Sequence, residues 1–164
     1  MSDNFRVIRL LAFGALSASL ISPCQTLAQS ADGDRTWAVM DIANALNSAL
    51  EGENGAELRE KAVRRFSECS LVYGGLSTLT ANAEAKKSYV RAQEATAVIE
   101  GAIAKPLEPQ KRLGLEEAAR RSVALMLRNV KAQGDKEVGP LLKSCKALND
   151  VSEVRSALQA LPPL

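Results

Sequence analysis

The chain has 164 residues, 46% hydrophobic and 24% charged, with 21 basic and 19 acidic side chains and a formal charge of +2. That size and balance point to one globular domain, without the concentrated basic field that phosphate-driven nucleic-acid binding requires. Histidine is absent, which removes the commonest general base, the Ser-His-Asp and Cys-His triads, and the favoured ligand of zinc and haem.

The first segment reads as an address. Arg6 and Arg9 precede an apolar run of 12 residues, Leu10 to Ile21, too short to span a bilayer. Pro23 breaks the run, and Thr26-Leu27-Ala28 offers small side chains at the two positions a signal peptidase accepts. Residues 1–28 are therefore expected to be a cleaved Sec-type leader, with cleavage between Ala28 and Gln29. An uncleaved anchor is disfavoured by the run's length, and lipidation at Cys24 by Pro23, which stands where a lipoprotein signal wants a small residue. Residues 29–164 form the expected mature domain, periplasmic or secreted.

Removing 28 residues from 164 leaves 136; Arg6, Arg9 and Asp3 go with the leader, so 19 basic and 18 acidic groups remain. Cys24 goes too, leaving Cys69 and Cys145. An even count in an oxidising compartment predicts one disulfide between them, and their separation excludes a Cys-x-x-Cys redox pair.

The mature segment shows apolar spacing of three and four from residue 36 onward and no sustained alternation, so the fold is expected to be helical throughout. A first helix follows the potential caps Asp34 and Thr36, with Val39, Ile42, Ala43, Leu46, Ala49 and Leu50 on one face, and ends at Gly52 to Gly55. A second stripe runs Leu58, Ala62, Phe66, Cys69, Tyr73 and Leu76, with Gly74-Gly75 a place to fray or bend.

Thr78 to Asn82 reads as a turn, after which Ala85, Tyr89, Ala92, Thr96, Ile99 and Ala102 form a third stripe of mainly small side chains. Pro106 and Pro109 bracket the next connection. A fourth helix uses Leu115, Ala119, Val123, Met126, Leu127 and Val130 up to Gly134. Asp135 opens a shorter fifth element with Val138, Leu141, Leu142, Cys145 and Leu148 inward, and Pro140 marks its start or a kink. A last turn or two carries Val151, Val154, Leu158 and Leu161 before Pro162-Pro163.

The expected architecture is an all-α antiparallel bundle of four longer helices plus one or two short C-terminal helices, cross-linked through Cys69 and Cys145. With only Trp37, Phe66, Tyr73 and Tyr89 as mature aromatics, the core must be close-packed Leu, Val, Ile and Ala.

No reactive constellation emerges, so no catalytic, cofactor-binding or metal-ligating residue is assigned and no cofactor is expected. Gly-x-Ser-x-Gly, Gly-x-x-x-x-Gly-Lys and Cys-x-x-Cys-His runs are all absent. The dibasic pairs Arg64-Arg65, Lys86-Lys87, Lys111-Arg112 and Arg120-Arg121 mostly follow an acid at four-residue spacing, namely Glu60 before Arg64, Glu57 before Lys61, Glu116 before Arg120 and Glu117 before Arg121. That pattern marks solvated helix faces. Lys86, Lys87 and Arg91 are least neutralised and are the expected contact for an acidic protein partner, with Trp37 either a lid on the core or an aromatic anchor. The leading expectation is a non-enzymatic exported module that works by protein contact, with neither nucleic acid nor a stable membrane anchor among its partners. The alternatives are a periplasmic ligand-binding bundle with an apolar slot between its third and fourth helices, and a carboxylate-dependent hydrolase.

Overall fold

In a computed structural model, residues 32–133, 138–150 and 152–164 are described, apart from the side chains of 32–37, 131–133 and 155. The leader, its cleavage point, Cys24, Gly134, Asp135 and Val151 lie outside the described residues, as does the Trp37 side chain.

Among the described residues there are six helices and no strand: α1 Asp32–Ala49, α2 Gly55–Leu79, α3 Ala83–Ala104, α4 Pro109–Gln133, α5 Val138–Leu148 and α6 Val154–Gln159. This is the all-α bundle that the spacing predicts, four long helices followed by two short ones.

The boundaries follow local chemistry. α1 begins at Asp32, so positions 34 and 36 lie inside the helix, not ahead of it. The α1–α2 connection reverses through left-handed backbone at Gly52 (φ 105°) and Asn54 (φ 61°), conformations that glycine and asparagine adopt most readily. Gly55 does not end α1 but opens α2. It is buried, and an added Cβ there would collide with the Leu50 carbonyl. Asn82 caps α3 by accepting from the Glu84 and Ala85 backbone N–H groups, both at 3.0 Å. Pro109 stands first in α4, where its missing N–H is no loss. Pro140 lies in the first turn of α5 for the same reason.

The α2 helix is the centre of the assembly. Its most extensive packing is against α3, then α4, with α5 and α6 also resting on it, while α1 packs on α3. Near their starts Glu60 of α2 pairs with Lys111 of α4 at 2.5 Å, and near their ends an added Cβ on Gly75 would strike Leu127. The two therefore run parallel, and α3, joined to both by short connections, runs antiparallel between them in chain order. Gly74 and Gly75 neither fray nor interrupt α2, contrary to expectation. They are approach points, with the Gln93 amide of α3 within 3.1 Å of a Cβ built on Gly74 and Leu127 of α4 against Gly75.

The core has two lobes. One gathers Ile42, Leu46, Val63, Phe66, Ile99, Ile103, Leu148, Leu158 and their neighbours from α1, α2, α3, α5 and α6. The other surrounds the disulfide with Val72, Tyr73, Ala92, Val123, Val138 and Leu141. Cys69 and Cys145 are wholly buried, are bonded to each other, and bring α2 and α5 to a Cα separation of 5.8 Å. Tyr73 and Tyr89 stack with ring centroids 6.4 Å apart beside it. Arg59 ties three helices together, donating to Asn47 Oδ1 at 2.7 Å and to the Ile103 carbonyl at 2.9 Å.

Candidate functional site

The cations singled out from the sequence lie on the first turns of α3. Lys86, Lys87 and Arg91 are exposed, and Lys87 is engaged by Glu84 at 3.0 Å. Cations near a helix start oppose its dipole, an effect that the Glu84–Lys87 pair offsets for Lys87.

The ion-pair pattern is partly as expected. Lys61 meets Glu57 at 2.7 Å, Arg121 meets Glu117 at 2.5 Å and Arg120 approaches Glu116 at 3.9 Å. Glu60 and Arg64 do not pair. Arg64 and Arg65 both turn to Glu68, at 3.3 and 3.0 Å, because that carboxylate is buried and needs compensation, and Glu60 reaches Lys111 instead.

At the end of the bundle formed by the C-terminal halves of α2 and α4, a groove of about 240 Å³ is lined by Gly75, Thr78, Leu79, Ala124, Leu127 and Arg128. Leu79 is 42% exposed and Leu125, beside the groove on α4, is 63% exposed. Gly75 lets the two helices close in, and the Leu127 side chain occupies the space above it. Arg128 is exposed and has no ion pair among the described residues. The α4 helix is thinly covered, since Ala119 and Val123 are its only fully buried side chains among those described, and Met126, Leu127 and Val130 are half-buried.

Two further concavities lie at the opposite end. One, of about 550 Å³, is lined by Glu51, Glu53, Glu57 and Lys61 with Leu58 and Leu158. The other, about 50 Å³, lies between Lys61, Arg64, Arg65 and the final residues Leu161 to Leu164. Among the described residues no group of three or more acidic or cysteine side chains is arranged to hold a metal, and no helix is long and apolar enough to cross a membrane.

A buried polar cluster joins α2, α3 and α4 in a way the sequence did not signal. Glu100 is 9% exposed and Ser67 is 4% exposed. Arg112 lies 3.9 Å from Glu100 Oε1 but donates to Glu116 at 2.8 Å. Burial raises the pKa of the Glu100 carboxyl above the ordinary range; the nearby Ser67 hydroxyl opposes this, the Glu116 charge reinforces it, and Arg112 opposes it. Neither Ser67 Oγ nor Glu100 Oε1 has a partner in hydrogen-bond geometry among the described residues. None of the three concavities is lined by Glu100 or Glu116. The one available hint in the sequence was position, since Glu100 falls on the inward stripe beside Ile99 and Ile103.

Compared with known proteins, the chain matches no family model, no curated protein and no solved structure.

Proposed function

We propose that the mature chain is a non-enzymatic, disulfide-stapled module of an oxidising compartment outside the cytosol, and that it works by gripping another protein in the groove between α2 and α4. The observation that carries this reading is the apolar groove itself, with Leu79 exposed in its lining and the exposed Leu125 next in sequence to its Ala124. Large apolar side chains left in water beside a preformed groove suit a partner that covers them. The occupant that fits is a short amphipathic helix presenting a leucine-type anchor and carboxylates. Arg128 stands at the groove and Lys86, Lys87 and Arg91 stand at the same end of the bundle, so the local charge complements an acidic segment. The leader-like N-terminus and the buried Cys69–Cys145 bridge support the compartment.

The test is fluorescence anisotropy with a synthetic peptide of about four helical turns, leucine on one face and glutamate on the other. The intact oxidised chain is expected to bind it, and Leu79→Asp with Leu125→Asp to weaken binding at least about tenfold with an unchanged melting temperature, because both side chains are exposed. Arg128→Glu should weaken it further and reduce its salt dependence. Equal affinity for the counterpart with lysine in place of glutamate, or no loss in the leucine variants, overturns the reading.

A further inference from the structure

The groove makes no use of the buried cluster beneath the start of α4. Ser67 comes from α2, Glu100 from α3, and Arg112 and Glu116 from α4, so one polar contact joins three helices. Glu116 holds Arg112 at 2.8 Å while Glu100 Oε1 stands 3.9 Å away, beyond hydrogen-bond reach. Two carboxylates thus compete for one guanidinium, and the loser is the one taken out of water. Other charges nearby do not relieve Glu100: Arg120 approaches the second oxygen of Glu116 at 3.9 Å, and Lys111 is held by Glu60. Protonation of Glu100 would end its repulsion from Glu116 and remove a charge held out of water, against the smaller preference of the Ser67 hydroxyl and Arg112 for the ionised form.

We propose that Ser67, Glu100, Arg112 and Glu116 form an acid-tightened latch: protonation of Glu100 secures the first turns of α4 to α2 and α3, and its ionisation loosens them. The thin coverage of α4 makes this contact count, since few other buried side chains hold that helix in place. The sign follows from linkage. Folding raises the pKa of this carboxyl, so the folded chain keeps a proton that the unfolded chain has already released. Its contribution is fully present below the unfolded value and is lost as pH rises through the higher folded value.

The experiment uses the full oxidised chain, with melting temperature and hydrogen exchange of peptides from residues 109–120 followed between about pH 4 and pH 7.5. Glu100→Gln, permanently neutral, is expected to match the wild type at the acid end and to melt higher and exchange more slowly than it at the neutral end. Glu116→Gln frees Arg112 for Glu100 and should move the wild-type transition to lower pH. Ser67→Ala, which removes a hydroxyl that favours the ionised form, should move the wild-type transition to higher pH. A difference between wild type and Glu100→Gln that stays constant across the range, or a wild type more protected in 109–120 at neutral pH, overturns the proposal.

Discussion

Replacing Cys69 and Cys145 together with alanine is expected to lower stability by about 4 kcal/mol and the melting temperature by about 10–15 °C, measured against the oxidised wild type. The reasoning begins with separation along the chain. The bridge spans 76 positions, so in the unfolded state it closes a loop that contains the later part of α2, all of α3 and α4, and most of α5. Closing so long a loop restricts the unfolded ensemble strongly. In the folded state the bridge sits where α5 crosses the middle of α2, with both sulfur-bearing residues wholly buried. The α5 helix has 11 residues, too few to be helical by itself in water, so it depends on α2 for its place. The loss should therefore appear first as faster hydrogen exchange in α5 and α6. A loss below about 1 kcal/mol would mean that the helices hold their arrangement without the staple.

Phe66→Ala is expected to cost about 3–5 kcal/mol in denaturant unfolding, on the scale of the whole staple. Among the described residues Phe66 is the largest fully buried side chain, and it lies in the lobe of the core that gathers α1, α2, α3, α5 and α6. No second ring lies among the described residues of that lobe to close over the space. The surrounding Leu46, Ile99, Ile103 and Leu158 are themselves fully buried and close-packed, so relaxation into the void is limited. Phe66→Leu, which keeps most of the volume, should recover more than half of the loss. If the alanine variant loses less than about 1.5 kcal/mol, the lobe is not the centre of packing described here.

The elements were legible because each helix writes its inward face as a spacing of three and four. Ile42, Ala43 and Leu46 of α1 with Leu50 just after it, and Val138, Leu141, Cys145 and Leu148 of α5, are buried as that spacing predicts. The Cys69–Cys145 pairing was legible from parity once Cys24 was assigned to the leader. Which helix lies beside which was not legible, because periodicity identifies a face and not the neighbour that covers it. A slot between the third and fourth helices was the expectation from their many Ala and Gly residues, yet both pack chiefly on α2, and the groove lies between α2 and α4.

Polar residues on buried faces were the other blind spot. Glu68 lies beside Cys69 and draws both Arg64 and Arg65 to it, which undoes the pairing of Glu60 with Arg64 that sequence spacing favours. Gly74-Gly75 reads as weakness in a helix considered alone and becomes a packing notch only when α3 and α4 are in place. Lys86 and Lys87 are exposed, but Lys87 pairs with Glu84 three residues before it, a spacing the four-residue count passed over.

The central claim is that this bundle is built to work after export, with its two remaining thiols joined. Intact-mass analysis and non-reducing peptide mapping of the chain recovered from the extracytoplasmic fraction of its own cells test that claim most directly. The account predicts a chain beginning at Gln29, no alkylatable thiol before reduction, and one cross-linked species that contains Cys69 and Cys145. A chain that keeps Met1, with both cysteines alkylated without reduction, would contradict it.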